Sequence, residues 1–448
     1  LYSFLPFHFY RNTHHAFIAN YYAIPLIIMM SLWLLENKVL AFTYKNNKLS
    51  LGFNAKFYIC VLLAFIVSMC GVYYAYYSCI ILSFVLLIKI FNREENKFSV
   101  IFIIIAIVII SFYLQVPSFK YWAGNGTSQF VAARNAGDSE VYGLRLIYLF
   151  IPIENHYIKY LSDIGEKFLK FREFESKTES LGIIGSIGFL FLLLWLLARN
   201  YSNKNSLLQT TINRFSLNQK DQNLISNLAN LNLLSILFAT VGGLVMFISI
   251  SFPFIRSHAR FTVFIAFISL SLIAVLLNQL YIKTRFKSIF NISLIVILLF
   301  GILDQVGIVD FSNREILMVK NDHNFVAKIE DSMTKNSAIF ILPVNFFPEG
   351  MTYNMLRPYL ASKNLRWSAP AIRGRKSDLW QRKIVQYDFN QFIKELKKAG
   401  FDGVYIDRVQ YLEFYDQKNL QILEEKLQSI TKMPKFISAN NKMVFFAI

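Results

Sequence analysis

Cysteine is nearly absent: three residues, Cys60, Cys70 and Cys79, in 448. All three fall in one apolar stretch, with no second Cys or His pair at metal-ligand spacing. That excludes a disulfide-stapled exported domain and a thiolate metal site, and leaves small core side chains. Charge is also scarce, with 17% of residues Asp, Glu, Lys or Arg, and acids are the scarcer sign at 28 against 46 bases. The chain contains no Walker loop, no GxGxxG followed by an acid, no GxSxG elbow and no HExxH, so soluble nucleotide chemistry has no motif to rest on. Solenoid periods and low-complexity tracts are lacking too.

What is abundant is apolar: 55% of residues are hydrophobic and Phe alone numbers 44. Mean hydropathy is +0.41. The apolar residues come in long blocks, and blocks of about 18 or more read as membrane spans. About eight spans are predicted, near 16–35, 57–74, 76–92, 99–117, 181–199, 229–252, 261–281 and 288–307. The expectation is a polytopic α-helical membrane domain over 1–308, with an outer loop at about 118–180. The formal charge of +18 suits anionic lipid or a phosphate-bearing substrate better than nucleic acid, because many bases sit in short inter-span loops. Lys38, Lys45, Lys48 and Lys56, then Arg93 and Lys97, then Arg199, Lys204, Arg214 and Lys220, then Lys283, Arg285 and Lys287 all fall on one side, read as cytoplasmic. Lys89, near a span end, is expected to snorkel to the surface.

Three polar sets are then expected on the opposite, non-cytoplasmic side. The stretch "SFPFIRSHARFTVFIAF" places Arg256, His258 and Arg260 in one turn between two apolar runs. Arginine forks match phosphate oxygens, although a single Arg could equally anchor in headgroups. "RNTHHAFIANYYAIPL" brings Arg11, His14 and His15 to the mouth of the first span. Adjacent histidines do not share a helix face, so no metal site is read there, while Arg11 and His14 can share one. "RNAGDSEVYGLRLIYLFIPIENHYIKYL" supplies Arg134, Asp138, Glu140, Arg145, Glu154 and His156. Of these, Glu140 and His156 are singled out because apolar neighbours can orient them and shift their ionisation. A carboxylate there could act as general base or hold a divalent ion. The tyrosines of "GVYYAYYS" read as an interfacial aromatic belt.

From about 309 the character changes. "SAIFILPV" and "FDGVYIDR" read as strands, "DFNQFIKELKKAG" and "NLQILEEKLQSIT" as helices, and "PKFISANNKMVFFAI" as a hairpin. Alternating strands and helices predict a small α/β domain over 309–448. Its densest feature, "LRPYLASKNLRWSAPAIRGRKSDLW", interleaves Arg357, Lys363, Arg366, Arg373 and Arg375 with Tyr359, Trp367 and Trp380, a pattern fit for phosphate and sugar rings or for an anionic membrane surface. Asp407 and Arg408 read as a site at a strand end or as a structural pair.

Many spans, polar loops gathered on one face and a C-terminal α/β domain together resemble the GT-C class of integral-membrane glycosyltransferases. The stretches "LPFHFYRNTHHAFIANYYAIPL", "SEVYGLRLIYLFIPIENHYIKYL", "IRSHARFTVFIAF", "LRPYLASKNLRWS" and "GFDGVYIDR" look like those of bacterial membrane proteins near that class. The resemblance implies a polyprenyl-phosphate sugar donor, a glycan or lipid acceptor and membrane lipids as partners, and a bacterial inner-membrane location with the C-terminal domain on the periplasmic side. It implies Arg256 and Arg260 on the lipid phosphate with His258 on the same leaving group. It also implies a catalytic carboxylate in a first outer loop. "LYSFLPFHFY" has no signal-peptide pattern, and that loop is expected upstream of Leu1. Glu140 is the best substitute within the chain. Together with the residues read above, the candidate substrate-binding set is Arg11, His14, His156, Arg256, Arg260, Arg357, Arg373 and Arg375, with no metal ligands. No cofactor is assigned, with a divalent cation left open. A lipid or polysaccharide transporter and a non-catalytic envelope scaffold remain as alternatives, so whether the chain is an enzyme stays open.

Overall fold

The computed structural model describes residues 1–12, 16–19, 21–39, 42–45, 48–94, 96–128, 130, 134–170, 179–199, 215, 217–253, 255–308, 313–345, 347, 353–431 and 435–448. The described chain is mostly helical, with a small sheet. It divides into two compact units, Leu1–Gly124 with Ala133–Val309, and Asn125–Ala132 with Asp310–Ile448.

In the first unit four helices are long and apolar enough to cross a membrane: Val72–Phe91, Lys97–Leu114, His258–Lys283 and Lys287–Gln305. Their outward faces carry Phe102, Ile105, Val108, Ile109 and Phe112, and Ile289, Ile292, Ile295 and Leu299, all exposed. Such continuous apolar surface is what a helix facing lipid presents. The other predicted spans become shorter helices, so eight is not the number that length and composition give. Ala23–Leu35, Ala55–Met69 and Gly182–Ala198 are apolar but shorter. The expected span at 229–252 is interrupted. Its helix, Gln219–Ala239, begins in polar sequence behind an Asn218–Asp221 capping box, ends before Thr240, and resumes as Val245–Ser251. Gly242 takes φ +69° in the gap, a conformation that suits glycine.

The core of this unit is built from Ile24, Ile27, Leu34, Ala64, Ile81, Ile103, Leu228 and Phe264, all essentially inaccessible. Cys60 and Cys70 are buried core residues with free thiols, as the sequence suggests. Gly188 lets two helices touch, since a Cβ there would lie 2.3 Å from the Ser269 carbonyl oxygen. Lys89 does not snorkel. It is fully buried, and its Nζ donates to Leu35 O at 3.1 Å, Asn37 Oδ1 at 2.6 Å and Glu94 Oε2 at 2.7 Å. A lysine at that point closes the carbonyl end of helix Ala23–Leu35, where positive charge is favoured. Burial raises the Glu94 pKa, but the bonds from Lys89 and Asn37 outweigh it and hold this carboxyl below its ordinary range. The loop predicted after the first span contains a small antiparallel pair, β1 (Phe42–Lys45) and β2 (Lys48–Leu51).

The second unit is the predicted α/β fold. Its strands are β3 (Ala338–Leu342), β4 (Arg366–Trp367), β5 (Gly403–Asp407), β6 (Phe436–Ile437) and β7 (Met443–Ala447), in the order β4-β3-β5-β7-β6. β3 runs parallel to β4 and β5, while β7 is antiparallel to β5 and β6. Alternation along β3 sends Phe340 and Leu342 to one face with Leu396, Ile406 and Leu427, and Ile339 and Ile341 to the other with Phe325, Tyr405 and Phe445. A sheet covered on both faces reads as a continuous apolar run, which is why "AIFIL" is legible as a strand. Asp388 and Asp416 cap helices Phe389–Lys398 and Gln417–Ile430. Gly400 ends the first of these with φ +80°.

Candidate functional site

The interruption at Thr240–Leu244 is held by the segment that carries Glu140. Leu144 N–H donates to Ala239 O at 2.8 Å, and Val241 N–H donates back to Leu144 O at 3.1 Å. Glu140 Oε1 accepts from Gly242 N–H at 3.0 Å. The Ser139 and Ser249 hydroxyls meet at 2.5 Å. Gly143 is squeezed into this join, where a Cβ would lie 2.7 Å from Ser139 O. The same segment reaches the arginine turn, because Ala259 N–H donates to Tyr142 O at 3.1 Å.

In the turn, Ser257 and His258 precede helix Thr262–Lys283, and Thr262 caps the bend by donating to Ala259 O at 2.8 Å. Arg256 is half-buried, its guanidinium carbon 4.9 Å from the centre of the Tyr142 ring. Arg260 is only 6% exposed. Its guanidinium lies 4.3 Å from the Tyr73 ring centre. Among the described residues its buried Nε and Nη1 have no hydrogen-bond partner, and it has no carboxylate partner. His258 is fully buried between the rings of Tyr76, Tyr77 and Phe238.

The tyrosines correct the sequence reading. Tyr74 and Tyr77 are not interfacial: both are buried in helix Val72–Phe91. Tyr77 donates to Ser257 O at 2.7 Å, and Tyr74 donates to Ile18 O. The one-turn spacing of Tyr73 and Tyr77 is the signal that could have placed both against the turn. So Arg256, His258 and Arg260 share a turn lined by tyrosines, and the segment that carries Glu140 joins it through the Tyr142 backbone.

The other singled-out residues lie elsewhere. His156 is buried. Its Nδ1 accepts from Ile158 N–H at 2.9 Å, which leaves the proton on Nε2, 3.3 Å from Asp304 Oδ1. Asp304 also accepts from Ile183 N–H at 2.6 Å, at the start of helix Gly182–Arg199. This node fastens helix ends. Asp304, a lone carboxylate late in an apolar run, was missed, although an ionisable residue in such a run is itself a signal. Arg11 falls in helix Pro6–Asn12. His14 and His15 lie outside the described residues.

In the second unit the basic cluster is largely engaged internally. Arg357 forks onto Asp322 at 2.7 and 2.6 Å. Arg366 Nε donates to Asn336 O at 2.8 Å. Arg375 Nη1 donates to Asn125 O and Gly126 O at 3.0 Å each, and Arg373 stands 5.1 Å from the Phe130 ring. Asp407 and Arg408 do not pair with each other. Asp407 caps helix Arg408–Phe414 through Val409 and Gln410 N–H, and Arg408 binds Glu424 bidentately at 2.7 Å. Burial raises the Asp407 pKa, against the lowering pull of its hydrogen bonds and of Arg357.

Among the described residues, no group of three His, Cys, Asp or Glu side chains is placed to hold a metal ion. No family of known proteins matches the chain, and neither curated proteins nor solved structures give a match.

Proposed function

We propose that this chain is a membrane glycosyltransferase that takes its sugar from a lipid phosphate to build a cell-envelope glycan or glycolipid. The observation that carries the reading is Arg260: a buried guanidinium whose Nε and Nη1 have no hydrogen-bond partner, and which has no carboxylate beside it, among the described residues. Leaving a charge in that state is costly, and an anionic ligand removes the cost. A phosphate on a lipid can arrive sideways at the start of an apolar helix, and Arg256, half-buried, offers a second fork. In the reaction proposed, an acceptor hydroxyl attacks the anomeric carbon, and the carbon–oxygen bond to phosphate breaks. The phosphate leaves with the electron pair, stabilised by the arginines. A carboxylate takes the hydroxyl proton, and Glu140, oriented by Gly242 N–H, is the candidate for that step.

The proposal keeps the multi-pass reading of about eight spans, with the shorter apolar helices as the additional crossings. It also keeps the orientation given by the basic loops, with residues 310–448 on the non-cytoplasmic side of a bacterial inner membrane. The transporter and scaffold readings have no feature as specific as Arg260 in their favour.

The test uses the full-length protein in membranes with radiolabelled polyprenyl-phosphate sugars. Label should pass to an acceptor in wild type and be lost in Arg256→Ala/Arg260→Ala protein that is still folded. Transfer that survives the double substitution, or no transfer from any donor by wild type, overturns the proposal.

A further inference from the structure

The second unit holds a cleft that none of the functional residues considered so far occupies. It opens at the carboxyl ends of the parallel strands β3 and β5, the end at which α/β sheets characteristically present ligands. Its volume is about 610 Å³, within the range of small-ligand sites. Leu342, Pro343, Val344 and Phe392 form the apolar floor. Tyr411 and Tyr415, carried on and just after the helix that follows β5, stack with centroids 4.6 Å apart and planes at 30°. Tyr411 is buried, whereas Tyr415 is 45% exposed. Phe389 faces the cleft from another helix, with the Lys426 ammonium 5.8 Å from its ring centre.

The polar equipment is one-sided. Tyr387, Tyr411 and Tyr415 hydroxyls and the side chains of Gln386 and Asn419 line the cleft and form no hydrogen bond among the described residues. Lys426 forms no ion pair among them, while Arg382 is held by Asp378 at 2.9 Å. The cleft therefore offers aromatic faces, several uncommitted hydroxyl and amide groups, and one ammonium without a carboxylate. Flat aromatic walls suit the C–H faces of a pyranose ring, hydroxyl and amide groups suit its hydroxyls, and a lone ammonium suits one negative substituent.

We propose that this cleft binds a saccharide bearing a single anionic group on a pyranose ring, either a uronate or a phosphorylated sugar. The inference does not depend on the transferase reading, since a scaffold could hold the same saccharide, and it uses none of the residues around Arg260.

The experiment is equilibrium binding to the purified full chain in detergent. The probes are galacturonate, glucose 6-phosphate, neutral maltotetraose and an acidic peptide of glutamates. Saturable binding is expected for one of the two anionic sugars, and which of them binds separates carboxylate from phosphate. Lys426→Ala should weaken that binding by about tenfold, the cost of one charge-assisted contact, and leave maltotetraose unchanged. Tyr415→Ala should weaken binding of that same anionic sugar by roughly fivefold through loss of the aromatic face. Both side chains are exposed, so an unchanged thermal transition verifies that the variants fold. The proposal is overturned by no saturable sugar binding, by affinities that neither substitution alters, or by the acidic peptide binding as tightly as the sugars. Label transfer by the full-length protein reads the Arg260 site separately, so either idea can fail alone.

Discussion

Replacing Arg260 with leucine should make the ligand-free protein more stable and at the same time abolish its response to a lipid phosphate. The side chain is buried, and among the described residues two of its nitrogens have no hydrogen-bond partner and no acid compensates its charge. Each buried donor left unsatisfied costs about 1–3 kcal/mol. The opposing contribution is the contact with Tyr73 at 4.3 Å, worth about 0.5–2 kcal/mol for a desolvated cation over a ring. With two such donors the difference favours leucine by about 3 kcal/mol, or a rise of several degrees in Tm for a chain of this size. Ligand should offset and then reverse the order: a lipid phosphate at a hundred times its Kd stabilises wild type by about 2.7 kcal/mol, more at higher excess, and the variant not at all. The assay is thermal unfolding in detergent, followed by intrinsic fluorescence at one scan rate, with polyprenyl phosphate titrated from zero. The two stability curves should cross as ligand is added. A variant that melts below wild type without ligand, or that gains as much from polyprenyl phosphate, refutes the argument and makes Arg260 a structural residue.

Three further outcomes are expected. Asp407 has a raised folded-state pKa, so its ionisation works against folding; wild-type stability from this group is fully present below the unfolded value of about 3.9 and is lost as pH rises through the folded value. Asp407→Asn, which keeps a good helix cap, should therefore gain on wild type in urea melts as pH climbs from 4 towards 7. Glu330 behaves oppositely: burial raises its pKa, but Ser362 Oγ, Lys363 N–H and Asn364 N–H, all donating to Oε1, outweigh it and lower the net value. Its stabilisation is present above about pH 4.3 and is lost as pH falls through the lower folded value, so the deficit of Glu330→Gln should close in acid. Gly188→Val should destabilise the first unit by about 1–3 kcal/mol or more by forcing two helices apart at Ser269, which thermal melts in detergent would register.

Local chemistry determined a great deal of this protein from the sequence alone. Long apolar blocks specify helices, four of them long and apolar enough to cross a membrane, where a backbone must satisfy its own hydrogen bonds. β3, β5, the β6–β7 hairpin and the helices before and after β5 fall where alternation, glycine stops and caps put them, since each of those signals acts within a few residues. The turn holding Arg256, His258 and Arg260 was likewise visible as charge in an apolar setting. Only tertiary structure decided which charges are already compensated. Lys89 finds Glu94 and a helix end, His156 finds Asp304, Arg357 finds Asp322, and Arg408 passes over its neighbour Asp407 for Glu424. Of these partners, three are separated in sequence from the residue they satisfy by far more than a helical turn, so no window could pair them. Arg260 acquires its meaning in the same way: packing buries it against Tyr73 and, among the described residues, brings it no acid.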